Sequence, residues 1–198
     1  MLATAAMRRA CMRTLCASPR VMRPTSQPTL SFDPSVKTAM DKQEPPAPGA
    51  DFRVVIVGAG NINFGSDEGP WNHSFRLEHK LGPRLKVVAL IDPDAERARR
   101  VLQTKCQSFV LSAYKDTVVY PTFKDYMASV CAETYPHAVW VGSPPAFRGG
   151  TEPGRNLEQL LTAGLPNVPL FIEKPVSTGA VDQTFEVAKM LERNGSLV

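Results

Sequence analysis

The chain predicts an α/β fold, a doubly wound and mostly parallel sheet, and three observations carry that expectation. Short apolar β-branched runs alternate with amphipathic stretches from position 51 onward. The first run, 53–57, opens directly into the glycine turn Gly58-Ala59-Gly60. A later run, Leu170-Phe171-Ile172, ends in Glu173-Lys174-Pro175, which puts a charged pair on the strand-end rim where open α/β sheets bind ligands.

Each element has its own signal. Strand one is expected over 53–57, and a helix over about 71–81 with Gly69-Pro70 ahead of it, since proline suits a first helical turn. Strand two is expected over 86–91, and Asp94 caps a helix reaching about 107. A weak strand at 118–120 leads through Pro121 into a helix over about 123–133. Strand four, 138–141, is continuously apolar, which suits a strand buried on both faces. A helix over about 155–163 and strand five at 170–172 follow. The last helix, about 179–193, takes Thr178 as its cap and Val181, Phe185, Ala188 and Leu191 as its buried stripe. Asn194-Gly195 stops it, and Ser196-Leu197-Val198 reads as the start of a sixth strand.

Length and charge restrict the function classes. The 198 residues suffice for one well-buried domain of about 150 residues and a leader. Residues 1–50 hold seven Lys/Arg and three Asp/Glu, so they carry the whole formal charge of +4 and leave residues 51–198 neutral. A nucleic-acid face needs excess positive charge within the folded part, so a nucleic-acid partner is not expected. No apolar run is long enough for a secretory core or a membrane span.

The leader, residues 1–50, is expected to be disordered. Positions 1–32 contain five arginines and no acidic residue, and seven prolines fall between Ser18 and Gly49. Two origins stay open: an organellar transit peptide, giving a mitochondrial protein, or a non-native start ahead of Met40, giving a cytoplasmic one. The four cysteines show no C-x-x-C spacing, and no metal pattern joins them to His73, His79 or His137. Cys106 and Cys131 fall in stretches that read as helices, and the histidines read as ordinary residues.

The glycine turn points to a dinucleotide. A pyrophosphate needs backbone N–H donors at a helix start and no side chain in its way, which Gly58, Gly60, Asn61 and Ile62 can provide. The pattern G-x-G-x-x-G is broken, because Asn63 stands where the third glycine belongs and the next glycine is Gly65. Asp67 and Glu68 follow in a lengthened loop, where two carboxylates oppose an anion unless they turn outward. Asp92 ends strand two, where a carboxylate can accept from both adenosine ribose hydroxyls and repel a 2′-phosphate. NAD is therefore preferred, with NADP possible, and Arg97 and Arg100 read as a solvated helix face.

Taken together, the glycine turn, Asp92, Val141-Gly142-Ser143-Pro144-Pro145 and Glu173-Lys174-Pro175 resemble the Gfo/Idh/MocA family of nicotinamide-dependent oxidoreductases over residues 52–198. The resemblance implies a Rossmann fold for residues 51–198. It sets Ser143 and Pro144 beside the nicotinamide half of the cofactor, where the family carries a similar T-P-P segment. It implies that Lys174 contacts both nicotinamide ribose and substrate, with Glu173 assisting, and that the substrate is a small sugar, polyol or related hydroxy compound. Family members carry a second domain that supplies most of the substrate pocket and the acid/base residue, so this chain reads as truncated after Val198 and is expected to bind cofactor without steady turnover. Self-association through uncovered apolar surface, and so a homo-oligomer, is expected as well. The alternatives are a non-catalytic dinucleotide-binding regulatory module and an incomplete gene product.

Overall fold

The computed structural model describes residues 34–35, 45–66 and 69–193. Most of the leader, Asp67, Glu68, and the expected helix stop and sixth strand at 194–198 lie outside those residues. Five strands form one parallel sheet: β1 Phe52–Val57, β2 Leu85–Ile91, β3 Val118–Tyr120, β4 Ala138–Val141 and β5 Leu170–Ile172, in the order β3-β2-β1-β4-β5. The chain winds outward from β1 to β3, then returns to the other side of β1 for β4. The connections leave β1 and β4 in opposite directions, which opens a crevice at their carboxyl ends.

The helices are α1 Asn61–Phe64, α2 His73–Leu81, α3 Ala95–Cys106, α4 Leu111–Tyr114, α5 Phe123–Met127, α6 Leu157–Gly164 and α7 Val181–Arg193. Alternate residues of β1 feed two cores. Val54 and Ile56 pack with Leu77, Leu85, Val87 and Leu102, while Val55 and Val57 pack with Val139, Val141, Leu161 and Leu165. Each such buried aliphatic side chain contributes about 1.5–3 kcal/mol, so β1 is held from both faces and its end is a rigid base for the turn that follows.

Several boundaries differ from expectation, each for a local reason. The helix expected from 71 begins at His73, because the Asn72 side chain accepts from Phe75 N–H (2.9 Å) and caps it there, leaving Pro70 outside. The strand expected from 86 starts one residue earlier, at Leu85. Asp94 does cap α3, accepting from Arg97 N–H at 2.9 Å. The helix expected to reach 133 ends at Met127. There the Ser129 hydroxyl donates to the Tyr126 carbonyl (3.1 Å), and Thr134 forms its own turn with Cys131, so Cys131 is not helical. The helix expected over 155–163 is Leu157–Gly164, and α7 begins at Val181 instead of near 179.

Two burial patterns are also corrected. On α7, Val187 and Leu191 are buried, whereas Val181 and Phe185 are 70% and 63% exposed and Ala188 faces solvent. The helix is rotated by its contacts beneath: Thr184 lies by the Gly149 carbonyl, and Met190 meets Thr162 of α6. β4 is not covered on both faces either. Val139 and Val141 are buried, but Ala138 and Trp140 border an apolar groove of about 320 Å³ shared with Phe52, Val54, Leu77 and Leu81. No described helix is long and apolar enough to cross a membrane.

Candidate dinucleotide site

At the crevice lies a cleft of about 310 Å³, walled by the ends of β1, β2, β4 and β5. Gly58, Gly60, Asn61, Ile62, Asp92, Ser143, Pro144, Glu173 and Lys174, all singled out from sequence, line it. Arg97 and Arg148 line it too.

The turn after β1 needs its glycines for different reasons. Gly58 has φ +97°, and a Cβ there would come within 3.0 Å of Ser143 N and 3.1 Å of Gly142 C. The first position therefore serves close packing of β1 against β4. A Cβ on Gly60 would meet nothing within 4 Å; it would stand in open space at the cleft wall. Asn63, Phe64 and Gly65 spend their N–H groups on the carbonyls of Gly60 and Asn61, which leaves the donors of the first turn at Asn61 and Ile62 to face a ligand.

Asn63 explains the broken glycine pattern. It is fully buried, and its Nδ2 donates to the carbonyls of Val57 (3.1 Å) and Gly58 (2.7 Å). The residue that replaces the third glycine thus staples the turn to the end of β1. It fits only because Gly142 faces it, since a Cβ on Gly142 would lie 2.3 Å from Asn63 Oδ1.

Asp92 is only 3% exposed and is heavily engaged. Its Oδ2 accepts from Ala59 N–H (2.7 Å), and its Oδ1 accepts from Asp94 N–H and from Arg97 Nη2, both at 2.8 Å. The carboxylate fastens the glycine turn to the end of β2 as well as presenting an acceptor to the cleft. Arg97 is therefore not simply a solvated helix face: its guanidinium reaches back to the cleft, and the hydrogen bond it donates to Asp92 raises its pKa.

The nicotinamide end of the cleft, as the resemblance orients it, is built by the segments after β4 and β5. Ser143 Oγ is buried without a partner. Arg148 is 1% exposed and donates from Nε to the Ser143 carbonyl and from Nη1 to the Val176 carbonyl, each at 2.9 Å. Burial lowers its pKa, against which the carboxylates of Glu158 and Glu173 act. Glu173 is paired with His73, whose Nε2 meets Glu173 Oε2 and whose ring packs against Trp140 and Phe171 at 5.5 and 5.1 Å. His73 is not the ordinary helix residue that its spacing suggests. Nothing in the sequence links it to a position one hundred residues later. Lys174 is exposed, with its ammonium 5.6 Å from the centre of the Trp71 ring, and the Lys174-Pro175 peptide is cis.

These residues fit a nicotinamide dinucleotide: an open approach at Gly60, helix-start donors at Asn61 and Ile62, a strand-end carboxylate at Asp92, and an unpartnered hydroxyl at Ser143. Among the described residues no group of three or more His, Cys, Asp or Glu side chains is arranged to hold a metal ion.

The comparisons with known proteins agree with this geometry. Residues 52–198 match the model of the oxidoreductase family with an NAD-binding Rossmann fold, GFO_IDH_MocA. Two uncharacterised proteins of Schizosaccharomyces pombe are 41% identical over 152 residues and 37% identical over 158 residues. Those matches cover 76% and 79% of this chain but 40% and 39% of the relatives, so the chain spans about two fifths of their length. Among solved structures, the fold is similar to the WlbA dehydrogenase of Chromobacterium violaceum in complex with NADH and UDP-GlcNAcA, with a TM-score of 0.54 and 15% identity over 77% of this chain and 35% of that one. It is also similar to a super-repressor mutant of Gal80p from Saccharomyces cerevisiae, with a TM-score of 0.51 and 17% identity over 74% of this chain and 33% of that one. The strand order, the glycine turn on β1 and the family match lead to one conclusion: the chain belongs to the Gfo/Idh/MocA family of oxidoreductases, and residues 52–198 are its NAD-binding Rossmann domain.

Proposed function

We propose that this domain serves hydride transfer between a nicotinamide cofactor and a small sugar- or polyol-type hydroxy compound, with NAD preferred over NADP. The observation that carries the reading is the convergence of the glycine turn, Asp92, Ser143 and Lys174 on one cleft from the ends of four strands. In this reading the Gly60, Asn61 and Ile62 backbone holds the pyrophosphate, Asp92 meets the adenosine ribose, and Ser143 and Pro144 border the nicotinamide. Bound there, the cofactor would supply a two-electron hydride acceptor or donor. Lys174 is the group of this chain that acts on the substrate: its ammonium donates a hydrogen bond to the reacting oxygen and stabilises negative charge that develops on it. Glu173, held by His73, sets the start of the Lys174 turn. NAD is favoured because Asp92 disfavours a 2′-phosphate, and Arg97 makes that preference a small one by neutralising the carboxylate.

A second reading, a dinucleotide-binding regulatory module without turnover, is favoured by one feature. Among the described residues the two carboxylates lining the cleft are both engaged, Asp92 by Ala59, Asp94 and Arg97 and Glu173 by His73. No uncommitted carboxylate or imidazole among the described residues lines the cleft to take the substrate proton. The full chain should be titrated calorimetrically with NAD and NADP, then assayed with NAD against a panel of sugars and polyols by NADH absorbance. Turnover that Lys174→Ala abolishes supports the enzyme; NAD binding without turnover both in this chain and in the full-length 41%-identical relative supports the regulatory module. Failure of both dinucleotides to bind overturns both readings.

A further inference from the structure

Lys174 makes no side-chain hydrogen bond or ion pair with another described residue; its ammonium only approaches the Trp71 ring. Its position must be set through the backbone on either side. On the far side that backbone is gripped by Arg148. The guanidinium spans two segments, with Nε on the carbonyl of Ser143 after β4 and Nη1 on the carbonyl of Val176 after β5. At 1% exposure this is one of the largest fully buried side chains in the domain, and among the described residues no carboxylate lies within ion-pair distance of it. A guanidinium is costly to bury without a direct counter-ion, so its retention at the cleft wall calls for a role beyond filling space. Two carbonyls at separate points suit a rigid planar fork and not a single ammonium.

The next residue tightens the same joint. Gly149 has φ +70°, and a Cβ there would stand 2.5 Å from Ser177 Cβ and 2.6 Å from the Val176 carbonyl. Its N–H donates to Oε2 of the fully buried Glu158 (2.8 Å), so the corner is anchored from below. The segment after Lys174-Pro175 is thereby pressed against the segment after Ser143.

We propose that Arg148 is a positioning residue for Lys174, tying the turn that carries the ammonium to the Ser143-Pro144 wall so that both address one bound ligand. The proposal rests on the reading that a dinucleotide occupies this cleft beside Lys174. Without the tie, the Lys174 turn separates from the wall and the ligand no longer shields the ammonium.

The test is acetylation of lysines in the full chain, mapped by mass spectrometry with and without saturating NAD, for the wild type, Arg148→Lys and Arg148→Met. In the wild type NAD should protect Lys174 selectively. In both variants that selective protection of Lys174 should be lost, while the thermal transition persists. Arg148→Lys should fail to restore it, because one ammonium does not reach two carbonyls. Protection retained in either folded variant overturns the proposal. Unfolding of both variants also overturns it, since Arg148 would then serve the core and not the turn. Absence of protection in the wild type would instead refute the cofactor placement on which the proposal stands.

Discussion

Asn63 occupies the space that Gly142 leaves empty. The amide joins the carbonyls of Val57 and Gly58, and a Cβ on Gly142 would lie 2.3 Å from its Oδ1. The two positions should therefore be energetically coupled. Gly142→Ala should cost about 1–3 kcal/mol by overpacking. Asn63→Ala should cost about 1–3 kcal/mol by removing the donor of the Gly58 carbonyl and one of the two donors of the Val57 carbonyl, which keeps the Gly142 N–H. The double variant should be more stable than the sum predicts by about 1 kcal/mol, because the truncated side chain makes room for the new methyl. Urea unfolding of the four proteins measures this, and strict additivity would show that the two residues do not share that space.

Cofactor preference should respond to Arg97. Its guanidinium bonds Asp92 at 2.8 Å while remaining partly open to water. Arg97→Gln leaves the carboxylate unneutralised, so the NAD-to-NADP affinity ratio should rise by about threefold, the scale of a solvent-screened ion pair. Asp92→Ala should weaken both cofactors, because Ala59 and Asp94 lose their acceptor, and should narrow the ratio. Calorimetry on the full chain reads both, and a ratio that falls in Arg97→Gln would reverse the assignment.

Acid should destabilise the domain through His137. Its Nδ1 accepts from Arg53 N–H at 2.9 Å, and burial together with the Arg53 charge pushes its pKa down to about 4 from 6.5. Above pH 6.5 neither folded nor unfolded chain binds this proton. As pH falls below 6.5 the unfolded chain takes it up first, so stability declines until the folded pKa near 4 is passed. His137→Asn keeps an acceptor without the titration and should flatten this part of the profile. Thermal melts between pH 7 and 4 test it; an equal slope in the variant would place the effect elsewhere.

The face that α7 turns inward can be tested directly. Leu191 is 4% exposed and Phe185 63%. Leu191→Ala should cost about 2–5 kcal/mol, whereas Phe185→Ala should change stability by less than about 0.5 kcal/mol. Denaturant unfolding would contradict the observed rotation if Phe185 proved the costlier truncation.

The sequence by itself determined the sheet, the glycine turn and the strand-end residues of the cleft. These depend on local chemistry: β-branched runs favour strands, Gly58 permits a positive φ beside another backbone, and Asp92, Ser143 and Glu173-Lys174 fall at strand ends, which a parallel sheet gathers on one rim. Helix ends and faces were less legible, because Asn72, Ser129 and Thr134 compete for backbone groups by hydrogen bonds that composition does not reveal. Only the tertiary structure decided the partners. His73 meets Glu173, Arg97 meets Asp92, Asn63 meets Gly142, and Arg148 bridges Ser143 and Val176. His73–Glu173, Asn63–Gly142 and Arg148–Val176 join distant parts of the chain, whereas Arg97 reaches back from its helix to the strand end five residues earlier. Periodicity reports only which way a side chain points within its own element. Which group it meets there is decided by the crossing of β1, β4 and β5.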